Sequence, residues 1–333
     1  MTGRIATVTL NPAIDQTVAI AHFAANTVNR VDWEQADAGG KGVNVASFLA
    51  DFGESVSVSG FLGQDNLELF QRLFEQKNIV NHCVSIAGKT RVNIKIVDDA
   101  QQQVTDINFP GAVPNADDLE KLWGAVDLLA ETHDWFVLSG SLPKGVPVTI
   151  YWDLVSHLKR AGKTVVLDTS GEPLKAALAA RPDLIKPNLS ELQDLLGHPL
   201  ETEADILQAA VDLIQRGLRW VVISMGAEGA YFITATEAVH AQPDRVDVKS
   251  TVGAGDAMVA GTIAGLVKGH AWGDCARLGT AFSMGTLGLL GAHLPPSDHV
   301  QNLCDRVTLR PLSLPNPTPS ETNLSKTESG TDR

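Results

Sequence analysis

The stretch STVGAGDAMVAG, residues 250–261, joins a glycine-rich turn to a run of small and apolar residues. Gly253 and Gly255 permit backbone conformations that bring successive N–H groups together. The run that follows, AMVAGTIAGLV, is apolar on every side, which is typical of a helix buried in the protein interior. The stretch therefore predicts a buried helix whose first turn presents N–H groups to an anion and carries one carboxylate, Asp256.

Outward from this helix, short β-branched runs alternate with amphipathic helical stretches over most of the chain. The strand-like runs are IATVTL, SVSVSGF, WFVLSG, TVVLD, DLIKPN and WVVISM. Apolar residues recur at helical spacing over 69–74 and 119–126, and a Thr202/Asp205 capping pattern begins a helix that ends at Gly217. This alternation predicts an α/β fold, a three-layer sandwich around a mostly parallel sheet. Ligands would then bind beyond the carboxyl ends of the strands.

Two regions depart from the alternation. Residues 16–37 and 89–109 alternate polar and apolar positions, which predicts strands that pair as a small separate sheet. A small sheet beside a ligand crevice is a natural lid, and its outer face offers a surface for a homodimer. The main domain is expected to span residues 1–312, because the segment from Ser313 is rich in Ser, Thr, Pro and Asn and is predicted to be disordered.

Composition limits the class of protein. The chain has 333 residues and a formal net charge of −13, which argues against nucleic-acid or membrane-surface binding because both need a basic face. The three cysteines form no CxxC pair, which favours the reducing cytoplasm and argues against a thiolate metal site. No apolar run approaches the ~20 residues of a membrane helix, and the N-terminus lacks the shape of a signal peptide. A cytoplasmic protein with small-molecule ligands is expected.

Asp256 has two interpretations at this level. In one, the helix N–H groups stabilise negative charge that develops during phosphoryl transfer, and Asp256 accepts the proton of an attacking hydroxyl. In the other, Asp256 only caps its helix. A second glycine cluster, AGGKG, places Gly40 and Lys41 before another helix, where they suit a phosphate, sugar hydroxyls or a plain tight turn.

Other polar motifs follow predicted strands and are individually ambiguous. KPNLSEL, with Lys186, Asn188 and Glu191, lies where a strand meets a helix, so Asn188 is a candidate helix cap. SMGAEGA, residues 224–230, is either a turn that binds the phosphates or ribose of a nucleotide or an ordinary hairpin. Asp15 follows the first strand, and TRVNIK puts an arginine and an asparagine on one strand face, where the arginine suits a phosphate or a solvated edge.

Taken in order, NPAID, GGKGVNVA, TRVNIK, SGSLP, KPNLSE, SMGAEG and STVGAGDAMVAG resemble the PfkB, or ribokinase-like, family of sugar kinases. The GAGD signature together with KPNxxE is specific to that family, and the resemblance covers roughly residues 5–310. It implies a Rossmann-like α/β domain with a β lid built from the two regions described above.

The resemblance also implies roles for individual residues. Asp256 falls on the catalytic base, and Gly253, Ala254 and Gly255 fall on the anion hole. Glu191 falls on the acidic residue that organises Mg²⁺, often through water. The ATP side comprises Lys186, Asn188, Ser224, Met225, Gly226, Ala227, Glu228, Gly229 and Gly255. The sugar-phosphate side comprises Asp15, Gly40, Lys41, Asn44, Arg91, Asn93 and Asp256.

Softer features, among them NPAID, TVNRV and VTDINF, resemble the subgroup that phosphorylates fructose 1-phosphate at its 6-hydroxyl, with ATP and Mg²⁺, to give fructose 1,6-bisphosphate. Tagatose 6-phosphate and fructose 6-phosphate remain alternative substrates, because one cation cluster can serve a phosphate at either end of a ketohexose. A non-catalytic regulator that binds nucleotide or sugar phosphate is a more remote alternative, and the presence of Asp256 and Glu191 speaks against it.

Overall fold

The computed structural model describes residues 3–246, 248, 251–289 and 291–315. Its strands are β1 (Ile5–Thr9), β2 (Ala13–Ala19), β3 (Trp33–Gly39), β4 (Val56–Gly63), β5 (Val80–Asn81), β6 (Val84–Ile86), β7 (Arg91–Asp98), β8 (Gln103–Ile107), β9 (Trp135–Ser139), β10 (Thr164–Asp168), β11 (Leu184–Ile185), β12 (Trp220–Ser224), β13 (Ala230–Ile233), β14 (Ala238–Gln242) and β15 (Thr308–Leu312). Its α-helices are α1 (Lys41–Asp51), α2 (Glu68–Gln76), α3 (Ala116–Thr132), α4 (Ile150–Arg160), α5 (Gly171–Leu178), α6 (Leu189–Leu196), α7 (Glu203–Gln215), α8 (Ala254–Val267), α9 (Trp272–Leu287) and α10 (Ser297–Arg306).

The large sheet has the strand order β15-β14-β13-β12-β11-β10-β9-β1-β4-β5, with β6 paired to β4. From β4 through β1, β9, β10 and β11 to β12 the pairing is parallel. Between β12 and β15 the strands pair antiparallel. The carboxyl ends of the parallel strands therefore lie at one edge, which is where the sequence motifs were expected to meet.

Helices cover both faces of this sheet, because its strands carry apolar residues at successive positions. In β9, Val137 packs with the cluster that holds α1, α8 and α9, whereas Phe136 and Leu138 pack with the cluster that holds α3, α4 and α7. Side chains at successive strand positions point to opposite faces, so a continuous apolar run requires cover on both sides. The predicted α/β sandwich is confirmed.

A second, four-stranded sheet has the order β3-β2-β7-β8. Its strands come from the two regions predicted from sequence, so the small separate sheet is confirmed. Residues 21–32 of the first region lie outside any strand, although strands were expected over 16–37. There the backbone N–H groups of His22 and Phe23 donate to the Asp98 carboxylate at 3.1 and 2.7 Å, and Asn29 bonds the backbone of Ala24. Side chains thus replace the strand ladder in this loop.

Strand β15 was not predicted, because the sequence TLRPL contains a proline and lacks a run of β-branched residues. It pairs with β14 at the edge of the large sheet, where the backbone N–H that proline lacks is not needed for a further strand. Of the tail predicted from Ser313 onward, residues 313–315 are described, and Leu314 packs against an apolar cluster of the main domain. The prediction of disorder for residues 316–333 lies outside the described residues.

Candidate active site

The carboxyl ends of the parallel strands open on a polar cavity of about 280 Å³. Its walls come from segments far apart in the chain, which the parallel topology brings to one edge. The predicted residues on its wall are Asp15, Gly40, Lys41, Asn44, Arg91, Asn93, Glu191, Gly253 and Asp256. The other residues on the wall are Asn11, Ala13, Gly140, Ser141, Thr169, Ser170 and Val252. The structure thus gathers the whole predicted sugar side around one space.

Asp256 lies in the first turn of α8, with its residue only 7% exposed. The helix begins at Gly253, whose φ of 78° is a conformation that glycine adopts readily. Instead of a cap hydrogen bond, Asp256 receives one from Asn44 Nδ2 in α1, at 2.8 Å to Oδ2. The interpretation of Asp256 as a simple helix cap has no support in this geometry.

Burial raises the pKa of Asp256, and the nearby Asp168 carboxylate raises it further, to about 6. Lys41, Asn44 and Lys186 act in the opposite direction, because positive charge and hydrogen bonding stabilise the ionised carboxylate. A carboxylate with this pKa is mostly ionised at neutral pH and is still basic enough to accept a proton. Asp256 therefore has the protonation behaviour that a general base needs.

Asp168, at the last position of β10, is the carboxylate that sequence reasoning missed. It is 1% exposed, and its Oδ1 lies 3.2 Å from Lys41 Nζ and 3.7 Å from Lys186 Nζ. Burial alone would raise the pKa of Asp168, but the two lysines hold it below its usual range. The signal was present in TVVLD, where an acidic residue ends a buried strand at the ligand edge of the sheet.

The lysine of the glycine loop, Lys41, was predicted to meet a phosphate or sugar hydroxyls. Burial alone would lower its pKa, but the Asp168, Asp256 and Glu191 carboxylates raise it above its usual range. The Lys41 side chain is 36% exposed, so its ammonium group is both paired and accessible from the cavity. It is a charged group that a second anion can approach.

The small sheet contributes Asp15, Arg91 and Asn93 to the cavity wall. Asn93 Nδ2 donates to Asp15 Oδ1 at 3.2 Å, and burial raises the pKa of Asp15. The Arg91 guanidinium donates to the backbone carbonyls of Asn11, Pro12 and Phe109 at 3.0, 3.2 and 3.3 Å. Arg91 thus ties the small sheet to the loop after β1 while its side chain lines the cavity.

Asn188 caps α6, as one interpretation of KPNLSEL expected. Its Oδ1 accepts from the Glu191 N–H at 2.8 Å, and Glu191 Oε2 accepts from the Asn188 N–H at 2.9 Å. This capping box holds the Glu191 carboxylate at the wall of the polar cavity. Capping and a role in the site are therefore compatible here.

A second, larger cavity of about 980 Å³ lies on the other side of the α8 N-terminus. Predicted residues on its wall are Asn188, Ser224, Gly226, Ala227, Gly229, Ala254 and Gly255. Met225 is directed into an apolar cluster instead, and Lys186 and Glu228 lie outside the cavity wall. The SMGAEG segment is also a hairpin between β12 and β13, closed by a bond from Met225 N to Gly229 O at 2.8 Å.

Three polar residues on this larger cavity, Asp244, His299 and Arg306, were not found from sequence. Arg306 Nε donates to Asp244 Oδ2 at 3.0 Å, which connects α10 to the loop after β14. These residues belong to no recognisable sequence motif. They come together only because α10 packs next to the loop after β14. Only the folded chain reveals them.

Residues 8–298 match the pfkB family carbohydrate kinase, and the chain belongs to this family. It is therefore a carbohydrate kinase with a ribokinase-like α/β fold, as the motifs and the sheet order indicate. Across the part of the chain that the structure describes, no helix is long and apolar enough to cross a membrane.

Among its relatives, the 1-phosphofructokinase of Rhodobacter capsulatus is 49% identical over 313 residues, which cover 94% of this chain and 99% of that protein. The 1-phosphofructokinase of Xanthomonas campestris is 46% identical over 283 residues, covering 84% and 89%. Phosphofructokinase-2 from Escherichia coli, in complex with substrates and products, superposes with a TM-score of 0.84 at 29% identity over 91% of this chain and 98% of that one. A tetrameric inhibited form of the same enzyme superposes with a TM-score of 0.83.

Proposed function

We propose that the chain transfers the γ-phosphoryl group of ATP to the 6-hydroxyl of fructose 1-phosphate, giving fructose 1,6-bisphosphate. The observation that carries this proposal is the position of the first turn of α8 between two cavities of different chemistry. Gly253 and Asp256 line the smaller cavity, which is rich in charged side chains, and Ala254 and Gly255 line the larger one. A sugar phosphate bound in the smaller cavity would thus meet the γ-phosphoryl group of ATP bound in the larger cavity at this turn.

In this proposal Asp256 is the general base. It would accept the proton of the sugar hydroxyl, and the bond from Asn44 would hold its carboxylate in place. The N–H groups of Gly253, Ala254 and Gly255, at the positive end of the helix dipole, would stabilise the charge that develops nearby. Because phosphoryl transfer depends mainly on positioning and charge stabilisation, these groups supply most of what the reaction needs.

The sugar phosphate would bind in the polar cavity. Lys41 and Arg91 are the cations on its wall and would meet the phosphate, while Asp15, Asn44 and Asn93 would bind hydroxyl groups. Gly40 allows the loop before α1 to pack closely on the loop after β1, since a Cβ at this position would lie 2.8 Å from the Pro12 Cα. The small sheet would act as a lid, because it carries three of these side chains on its strands.

ATP would bind in the larger cavity, along the SMGAEG turn and the start of α6. Lys186 and Asn188 would face its phosphates, and the backbone of 224–229 would support the nucleoside part. The volume of about 980 Å³ is in the range of small-molecule sites, and the glycines on the wall would let a ligand approach the backbone closely. Met225 and Glu228 would support this turn from outside the cavity.

Glu191 is the proposed link to Mg²⁺. In the described part of the chain no group of three or more His, Cys, Asp or Glu residues could hold a metal by itself. This suits Mg²⁺, which binds through one or two carboxylates together with substrate phosphates and water. When bound, the ion would neutralise phosphate charge. Glu191, fixed by its capping box at the cavity wall, would receive it there.

The outer surface of the small sheet is the proposed homodimer interface. Val28, Val31, Trp33, Ile107 and Phe109 are exposed large apolar residues on this sheet and its connecting loops. A cluster of such residues on one small sheet marks an interaction surface. Sedimentation of the protein and of Trp33→Glu tests this, since a monomeric wild type would contradict it.

The three cysteines are unpaired, which fits the proposed cytoplasmic location.

A coupled assay of ADP release over a panel of sugar phosphates tests the activity. We expect the highest kcat/KM with fructose 1-phosphate, lower values with fructose 6-phosphate and tagatose 6-phosphate, and little turnover of fructose. A preference for either 6-phosphate would redirect the proposal to that substrate. Turnover of none of them would leave a nucleotide-binding regulator.

A further inference from the structure

A polar network contacts the SMGAEG turn through residues that do not line the larger cavity. It joins Glu203 at the start of α7, Tyr231 on β13, His240 on β14 and Arg310 on β15. Arg310 pairs with the Glu203 carboxylate, and the Tyr231 hydroxyl donates to the same carboxylate at 3.1 Å. Arg310 Nη2 also lies 3.2 Å from His240 Nδ1. The network therefore connects the edge strand of the sheet to a buried histidine.

The neighbours of His240 decide which of its ring nitrogens carries the proton. Its Nε2 lies 2.7 Å from the Glu228 carbonyl oxygen, which can only accept, so Nε2 is the protonated donor. On the other side Nδ1 faces the Arg310 guanidinium, which can only donate, so Nδ1 is the acceptor. His240 is 5% exposed and stacks edge-on against Tyr231, with ring centroids 4.6 Å apart. The ring is held in one tautomer and one orientation.

The hydrogen bond to Glu228 acts on the backbone of the turn. Glu228 ends the short 3₁₀ segment 226–228, and its neighbours Gly226, Ala227 and Gly229 line the larger cavity. Within the turn, Glu228 N and Gly229 N donate to the carbonyl oxygens of Met225 and Gly226 at 3.2 Å. The His240 Nε2–H group, whose ring also accepts from Arg310, donates to the Glu228 carbonyl at 2.7 Å. This bond therefore helps to fix the position of the cavity wall at the turn.

We propose that His240 is a positioning residue for nucleotide binding, held in its donor tautomer by the Glu203–Arg310 pair. The proposal rests on the proposed function, because it takes the larger cavity as the nucleotide site. Arg310 lies beyond residues 8–298, which match the family, so this support comes from a strand outside the matched segment. The network would determine affinity for the nucleotide and leave the sugar-phosphate side unchanged.

Three variants test the network. His240→Phe keeps an aromatic ring but removes the donor, and His240→Gln restores an N–H at the place of Nε2. Arg310→Met removes the guanidinium and keeps a long side chain. The matched control is Arg219→Met, because Arg219 is 59% exposed against 47% for Arg310 and lies at the opposite end of β12, with its guanidinium 4.1 Å above the Trp220 ring.

We expect His240→Phe to raise the KM for ATP and the Kd for ADP by about tenfold, the effect of one lost hydrogen bond of ordinary strength. The KM for fructose 1-phosphate should stay within about twofold. His240→Gln should recover most of the loss, Arg310→Met should raise the Kd for ADP by about threefold to fivefold, and Arg219→Met should not change it. Calorimetric titration with ADP and steady-state kinetics give these values.

A role in folding alone would lower the melting temperature of His240→Phe and leave the Kd for ADP unchanged in the folded protein, which would overturn the proposal. An equal rise in both KM values, or no recovery in His240→Gln, would overturn it as well. If His240→Phe does not fold, Arg310→Met and His240→Gln still decide the matter. A wild type that binds ADP but phosphorylates no sugar phosphate would refute the proposed function, while the ADP titrations would still test the network.

Discussion

The helices α1 and α8 begin alike and carry opposite charges. Both start at a glycine of positive φ, 109° at Gly40 and 78° at Gly253, and neither has a side-chain cap. Both are mostly buried, and the bond from Asn44 to Asp256 joins their first turns. Yet α1 has a lysine and no acid in its first turn, whereas α8 has an aspartate.

The helix dipole does not explain this difference. The positive N-terminus favours an anion and disfavours a cation, so Lys41 is placed against the dipole. Lys41 is stabilised instead by Asp168, the carboxylate of a third element, β10. Asp256 has the favourable dipole, but burial raises its pKa and the nearby Asp168 carboxylate raises it further. The Asp168 carboxylate thus pairs with the lysine at one helix start and adds to the rise in the pKa of the aspartate at the other.

The largest effect is expected from Asp256→Asn, which removes the proposed base and keeps the shape of the first turn of α8. We expect kcat to fall by about 10²–10⁴-fold, because an amide cannot accept the proton. The melting temperature should not fall, since a buried charge is removed. The control is Asp118→Asn, a buried carboxylate in the first turn of α3 that accepts from the Asn115 N–H at 2.9 Å. It should cost stability and leave kcat unchanged. A variant of Asp256 with more than half of wild-type kcat would refute its role.

Asp168→Asn tests whether the contrast between the two helix starts depends on β10. The substitution leaves Lys41 and Lys186 without their shared partner, and we expect the free energy of unfolding to fall by about 3 kcal/mol. This value is at the lower end for a broken buried ion pair, because the Lys41 side chain is partly exposed. Urea denaturation measures this. As a control, Asp117→Asn removes the partner of an exposed pair with Lys121 and should cost less than about 1 kcal/mol. Equal losses in the two variants would contradict our account.

The pH dependence reports on the base directly. If Asp256 is the base, its ionised carboxylate is the active form, and with a pKa of about 6 kcat/KM should rise with pH through 6 and fall about tenfold per unit below it. Removing Asp168 takes away a negative charge that raises this pKa, so the midpoint in Asp168→Asn should move to lower pH. A midpoint that stays in place would show that Asp168 does not influence the base.

Arg91→Lys tests the sugar-phosphate side, next to the start of α1. We expect the KM for fructose 1-phosphate to rise by roughly tenfold, because lysine cannot copy the planar fork of a guanidinium. The KM for ATP should change little and serves as the internal control. The backbone bonds of Arg91 add a second expectation, a lower melting temperature. An unchanged KM with a lowered melting temperature would assign Arg91 to structure alone.

The smallest effect is expected far from both helix starts. Ending the chain after Pro315 removes residues 316–333, a segment whose only large apolar side chain is Leu324. We expect kcat and the melting temperature to stay within error, because so polar a segment can bury little surface. A chain that ends at Leu312 also loses Leu314, which packs on the main domain, and should be slightly less stable. A large loss in the first truncation would contradict the expected dispensability.

Local pattern was sufficient for much of the fold. β-branched runs, helix caps such as Thr202 with Asp205, and the apolar run of α8 each depend on neighbours a few residues away, so the sequence shows them directly. Prediction from local pattern failed at β15 and at the loop 21–32. In these segments, pairing with a distant strand or a bond to a distant side chain outweighs local preference. The site shows the same difference between local and long-range information. Sequence analysis found the residues that lie in short motifs, but it did not find Asp168, His240 and Arg306.

The sequence by itself determined the family, the alternation of strands and helices that builds the main sheet, and the motif residues that reach its ligand edge, because these follow from short motifs and local periodicity. Only the tertiary structure decided which of those residues pair. Lys41 meets Asp168 across 127 positions and Asn44 meets Asp256 across 212, and no local pattern records such partners. The pKa of the proposed base depends on these pairs, because charge and burial act through space rather than along the chain.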